Sequence, residues 1–153
     1  MPSLTFSLLG NPAFVAYTVT SLVYILMLTL LWAGSGAVRG KTKTVTNAED
    51  AATVAKGATV VQADPPEVAR VLRVHQNSLV NGLPFLFLGL IYVLCGCSGT
   101  EAWALFGGFT AVRVVYTLVY LAGKQPWRTL TFGFGVLFTL ALMVRIAMKV
   151  AMG

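Results

Sequence analysis

The sequence predicts an all-α membrane protein, a bundle of four antiparallel helices that each cross the bilayer. Three observations carry the prediction. Hydrophobic residues make up 57% of the 153 and charged residues only 10%, where a soluble domain carries about 25% charged residues. The apolar residues are gathered into long runs rather than scattered, and the mean hydropathy is +0.79. At about 20 residues per crossing helix, four spans and their short connections use up the chain, leaving no room for a separate soluble domain.

The first span is expected at about 12–37. Met1 to Val38 holds no charged side chain, and Arg39 ends the run. A cleaved leader would have a basic start and a shorter apolar core, so this segment reads as a retained span. Thr18, Ser21 and Thr29 within it can bond back to carbonyls of their own helix. Arg39 to Asp64 is the only polar connection of any length. The second span is expected at about 67–95, its first turns projecting beyond the hydrocarbon, and Gly96-Cys97-Ser98-Gly99 is a tight turn. The third is expected at about 101–122 and is followed by a second tight turn, Gly123-Lys124-Gln125-Pro126. Pro126 and Trp127 open the fourth, expected at about 127–150, where proline suits the first helical turn. Near its end Arg145 and Lys149 stand one turn apart, placed to snorkel to the interface.

The net charge of +6 arises from 11 Lys and Arg against five acidic residues. Aromatic residues sit inside the apolar runs and not between basic ones, so no base-stacking surface forms and nucleic acid is not an expected partner. The basic residues flank spans, where they set orientation and meet membrane lipid. Arg39, Lys41, Lys43, Lys56, Lys124 and Arg128 border the first and third connections, while the second has none. The termini are therefore expected on the side away from the cytoplasm, with Lys149 in mild dissent. Trp32, Trp103 and Trp127 each fall near an expected span end, as an aromatic belt requires. Cys95 and Cys97 are the only thiols and His75 the only imidazole, too few ligands for a tetrahedral metal site in one chain.

The polar residues that enter the membrane are the candidates for chemistry. On the second span Arg70, Arg73, Asn77, Asn81 and Pro84 share one narrow helical face, and His75 lies on the far side. Snorkelling accounts for the arginines but not for the two asparagines, one and two turns deeper. Arg113 lies near the centre of the third span, where an arginine must face protein or a polar cavity. Arg113, Tyr116 or Thr117, Tyr120 and Lys124 descend one face toward the end that also holds Arg39, Arg128 and Thr129. Basic groups of all four spans thus converge at one membrane face. Two readings of the residues stay open: structural pairs such as Arg113 with Glu67, plus lipid-facing anchors, or a site for a small polar anion.

The run Pro65-Pro66-Glu67-Val68-Ala69-Arg70-Val71-Leu72-Arg73-Val74-His75-Gln76-Asn77, followed by Pro84-Phe85-Leu86-Phe87-Leu88-Gly89, resembles the second-helix motif of the membrane-associated proteins in eicosanoid and glutathione metabolism, the MAPEG family. The resemblance extends from about Gly36 to Phe132. It implies a homotrimer with glutathione held between subunits near the cytoplasmic face, in the endoplasmic reticulum or a bacterial inner membrane. By the same resemblance Arg39 is supplied by a neighbouring subunit, and Arg73, Gln76, Asn77, Tyr116, Tyr120 and Arg128 contact glutathione. Arg128 and Thr129 are implied to face its sulfur, with Asp50, in Asn47-Ala48-Glu49-Asp50-Ala51, as their catalytic partner. Arg70, Arg113, Glu67 and His75 are expected in structural polar roles. The chain departs from the family at Val80, which replaces a glutamate, and at Ala69, Gln76, Tyr116 and Phe132.

The expected function is glutathione-dependent chemistry on a lipophilic electrophile or peroxide from the bilayer, as transferase, peroxidase or isomerase. The alternative is a non-catalytic, lipid-presenting member of the same family. A small pore has little support, since only Arg113 is charged deep within a span.

Overall fold

The computed structural model describes residues 8–152. Four helices are long and apolar enough to cross a membrane: α1 (Pro12–Thr42), α3 (Pro66–Leu94), α4 (Gly99–Leu121) and α5 (Trp127–Met152). They are joined as an antiparallel all-α bundle, and by length and composition the protein is an integral membrane protein. The long connection is not structureless. It holds a single-turn helix α2 (Ala48–Ala52) between two short strands, β1 (Thr44–Val45) and β2 (Thr59–Val60), that pair in parallel.

Local sequence explains the helix ends. Asn11 caps α1, its side chain accepting from the Ala13 amide at 2.9 Å, and Pro12 takes the first turn. At the other end Lys43 adopts a left-handed conformation (φ 50°) that stops the helix. Ser98 and Glu101 form a reciprocal capping box at the start of α4. Trp103–Gly107 is a π-helical turn inside α4, a rare insertion that turns the succeeding residues relative to an unbroken helix. Thr18, Ser21 and Thr29 donate to the carbonyls of Phe14, Tyr17 and Ile25, which meets the demand of their hydroxyls within α1.

The core is built from close backbone approach and stacked aromatic rings. Tyr24 of α1 is fully buried and donates from its hydroxyl to the Ser78 carbonyl of α3 at 2.8 Å. The ring lies over Gly82, where any Cβ would fall inside it. Deeper in the bundle Phe85 of α3 stacks on Phe109 of α4, with centroids 3.6 Å apart and planes 6° apart, and Phe106 meets both Phe85 and Tyr17 edge-on. Helix α5 is the most exposed of the four, and packs chiefly on α4.

At the face where α3 ends and α5 ends, the basic residues do not simply reach out to lipid headgroups. Arg145 pairs with Glu101 and donates from Nε to the Tyr92 hydroxyl at 3.3 Å, and Lys149 donates to the Gly96 carbonyl at 3.1 Å. The snorkelling expected of Arg145 and Lys149 is replaced by contacts that tie α5 to the α3–α4 turn. Within that turn both cysteines are free thiols, and burial pushes the Cys97 thiol up.

Gly82→Ala should lower the melting temperature in detergent by the equivalent of about 1–3 kcal/mol, the scale of overpacking a core. Tyr24→Phe, which removes one hydrogen bond, should cost about 1 kcal/mol. A Gly82→Ala protein that melts with the wild type would show that α1 and α3 do not approach as described.

Candidate functional site

The opposite face, where α1 and α4 end and α3 and α5 begin, carries the residues singled out in the sequence. They fall into three groups in a single protomer. The first is a ladder between α4 and α5. Arg113 is fully buried, its guanidinium carbon 5.3 Å from the Phe109 centroid and 5.5 Å from those of Tyr116 and Phe132. Gly135 of α5 makes room for it, since a Cβ there would stand 2.9 Å from Arg113 Nε. Tyr116 meets Tyr120 edge-on at 5.7 Å, and the Arg128 guanidinium carbon lies 5.0 Å from the Tyr120 centroid. Cation, ring, ring and cation thus follow one another from mid-membrane to the first turn of α5. Thr129 follows Arg128 on the exposed surface of that turn.

The second group is the polar strip of α3. Arg70 is exposed and donates to the Leu121 carbonyl at 3.4 Å, at the open end of α4. Arg73 and Gln76 are exposed, and Asn77 is half-buried. Asn81 Nδ2 donates to the Asn77 carbonyl at 2.8 Å and lies 3.4 Å from Asn77 Oδ1, so the donor of the deeper asparagine is met along its own helix. His75 points away from this strip into a small groove against Leu28 and Trp32 of α1. Glu67 is exposed beside Pro66 and Arg70.

The third group lies in the long connection. Arg39 binds Asp64 of its own chain, Nε at 3.2 Å and Nη2 at 3.0 and 3.1 Å from the carboxylate oxygens. Asp50 accepts from Asn47 Nδ2 at 3.1 Å. Arg39, Lys43, Asp50 and Lys56 line a cavity of about 680 Å3.

One pairing offered by the sequence does not form. Arg113 does not pair with Glu67: the nitrogens of its guanidinium have no hydrogen-bond partner among the described residues, and aromatic faces surround it instead. Arg39 is balanced within its own chain by Asp64, and among the described residues Nη1 has no hydrogen-bond partner.

Of the candidate residues, Arg113, Tyr116, Tyr120 and Arg128 are brought together, with Thr129 beside them. Arg39 and Asp50 share the separate loop cavity, and among the described residues no hydrogen bond or ion pair joins them to Arg128. Gln125 was not singled out by sequence reasoning. It touches both Arg128 and Thr129, and its spacing of three and four residues from them across a helix start is the one available signal.

Chemically the first turn of α5 is suited to an anion. It combines a permanently charged guanidinium, a hydroxyl and the positive end of a helix.

A model of the MAPEG family matches residues 17–148, nearly the whole of the four-helix region. The chain belongs to the MAPEG family. It is 33% identical over 125 residues to a protein named prostaglandin E synthase from Macaca fascicularis, covering 81% of each chain. The human prostaglandin E synthase is 32% identical with the same coverage. Microsomal glutathione S-transferase 1 of Mus musculus is 33% identical over 140 residues, which is 88% of this chain and 90% of that one. This MAPEG protein therefore resembles two differently named enzymes to a similar degree.

Burying an uncompensated cation costs several kcal/mol, more than a few cation–π contacts of about 0.5–2 kcal/mol return. Arg113→Met should therefore melt at a higher temperature than the wild type, by the equivalent of about 1–4 kcal/mol. A lower melting temperature would mean that the guanidinium has a stabilising partner in the assembled protein.

Proposed function

We propose that this protein is a glutathione-dependent membrane enzyme acting on lipophilic electrophiles or peroxides drawn from the bilayer. The observation that carries the reading is the set of groups at the start of α5: Arg128 stacked on Tyr120, with Thr129 beside it and the helix N-terminus behind. A glutathione thiol placed there loses its proton more readily, because the guanidinium favours the thiolate by charge and the hydroxyl by a hydrogen bond. The same electrostatics activate cysteines in proteins. The thiolate sulfur then attacks the electrophilic carbon, an S–C bond forms and the leaving group departs. With a peroxide, the sulfur attacks one oxygen, an S–O bond forms as the O–O bond breaks, and the other oxygen leaves as an alkoxide that takes up a proton. A second glutathione thiol then displaces the sulfur-bound oxygen and leaves glutathione disulfide. The relatives named as glutathione transferase and prostaglandin E synthase support an enzyme over the lipid-presenting alternative.

The remaining residues support a site shared between subunits of a homotrimer. Arg73 and Gln76 are exposed polar groups near the start of a membrane helix, where a second copy offers them better partners than lipid does. Arg39 and Asp50 lie in one cavity away from Arg128 of the same chain, so a neighbouring subunit is the natural source of both. In this arrangement Arg39 uses its Nη1 on the peptide, Asn77 and Tyr120 help hold it, and Asp50 relays the thiol proton. Loop charge supports a site on the cytoplasmic side. A lipophilic substrate has an entry in the apolar groove of about 610 Å3 between α1 and α4, lined by Leu26, Met27, Leu30, Val114 and Leu118. Val80, which replaces the family's glutamate, is 58% exposed and offers the glutathione amine no partner.

The test is turnover of glutathione with a reactive aryl halide, measured on a particle whose mass in mild detergent is three chains. Arg128→Leu should lower the rate near neutral pH by orders of magnitude and recover partly as pH rises, since the thiol then ionises unaided. Thr129→Val should act in the same direction more weakly, because it removes a hydrogen bond and not a charge. Arg128→Leu turning over like the wild type, or a monomer with full activity, would defeat the reading.

A further inference from the structure

We infer that Gln125 is a positioning residue for the thiolate site: it grips one edge of the Arg128 guanidinium and turns Thr129 into a hydrogen-bond donor. The inference rests on the reading of Arg128 and Thr129 as the groups that face the sulfur. Gln125 lies in the short connection before α5, and its side chain reaches forward over the first turn of that helix. The orientation of its amide follows from its neighbours. With the carbonyl toward Arg128, the oxygen accepts from Nε at 3.0 Å and from Nη2 at 2.7 Å, while the amide nitrogen donates to Thr129 Oγ1 at 3.2 Å. The opposite orientation sets NH2 against two N–H groups and retains only a bond from Thr129. The first orientation gives the carbonyl and the amide nitrogen of Gln125 each a partner, and the second leaves donors facing donors.

Two consequences follow for an anion at this turn. A guanidinium has five N–H donors. Gln125 takes the Nε edge and Tyr120 covers a face, so the end-on fork of Nη1 and Nη2 is what remains for a ligand. The hydroxyl of Thr129, accepting from Gln125, keeps its own proton to give away. Other threonines of α5 do not: Thr131 donates to the Trp127 carbonyl at 2.8 Å and Thr139 to the Gly135 carbonyl at 3.1 Å. Thr129 makes no such backbone bond among the described residues; its one partner is Gln125. A hydroxyl that must stabilise a thiolate needs this polarity. A carboxamide suits the position because a single planar group supplies an acceptor to the arginine and a donor to the threonine. The other ionisable or charged groups around this turn are Tyr120 and Tyr116 from α4, Arg70 from α3 at the Leu121 carbonyl, and Lys124 in the connection itself.

The experiment compares Gln125→Met and Gln125→Glu with the wild-type trimer, reading kcat against pH at saturating glutathione with the aryl halide. Gln125→Met keeps the shape and removes all three hydrogen bonds. Its rising limb should move to higher pH, and its rate near neutrality should fall about ten- to a hundredfold, the scale of a lost hydrogen bond to a charged group. The rate at high pH should stay close to the wild-type plateau. Gln125→Glu should move the limb further, because a carboxylate both neutralises the guanidinium and draws the Thr129 proton to itself. Thr129→Val should add little on the Gln125→Glu background, since the donor is already lost. Wild-type and variant profiles that superimpose, with wild type active, would overturn the role of Gln125 alone. A wild type without glutathione-dependent turnover would overturn the functional reading and this inference with it.

Discussion

A charge inside hydrocarbon must be shielded by the protein, and Arg113 is where this molecule meets that requirement. The guanidinium is enclosed by Phe109, Tyr116 and Phe132 and lies close against Gly135, where a Cβ would force it to shift. That single arrangement fixes the distance between α4 and α5 at mid-membrane and the orientation of Tyr116. Through Tyr116 it also fixes Tyr120, on which Arg128 rests. The stability cost of the buried cation is borne by the fold, while the ordered ladder it creates leads to the candidate site. Such a division is usual where polar groups are held in an apolar setting.

The two faces of the bundle are built differently. One is closed by direct contacts, with Arg145 on Glu101 and Tyr92, Lys149 on Gly96, and a capping box at Ser98. These restrain the far ends of α3, α4 and α5. The other face has its cations spread among three groups that one chain does not bring together. Arg70 and Arg39 are occupied locally, whereas Arg73 and Gln76 stand exposed. A rigid closed end opposite an incomplete polar end is the geometry expected of a site finished by another copy of the same chain, which is the proposed trimer.

Much of the architecture was legible in the sequence because hydropathy and charge act over whole segments. Four apolar runs and the turns at Gly96 and Gly123 follow from residue type alone, and so does the in-helix bonding of Thr18, Ser21 and Thr29. By contrast, α1 runs past Arg39 to Thr42, because an arginine ends an apolar run without ending a helix. Features that depend on a specific partner were not legible. The Arg39–Asp64 contact joins residues far apart in sequence across the long connection, and only its β1–β2 pairing and the start of α3 bring them together. Arg145 and Lys149 look like anchors until the turn opposite them is placed. Arg113 was expected to face protein or a polar cavity, with a pair to Glu67 as one open reading, and periodicity cannot reveal that rings of two helices would enclose it. The π-helical turn at Trp103–Gly107 has no marker in composition. At the candidate site, helical spacing offered Tyr116 or Thr117, with Tyr120, and the family resemblance supplied Arg128 and Thr129. Gln125 was read as a turn residue, because nothing in a turn tetrapeptide says which way an amide will reach.

The central claim is that this protein binds glutathione as a thiolate at the start of α5. The most direct measurement is the ultraviolet difference spectrum of the purified protein titrated with glutathione at a pH where the free tripeptide remains a thiol. Glutathione held as a thiolate gives a saturable thiolate band whose amplitude follows binding. Saturable binding without that band, or no binding at all, would contradict the claim.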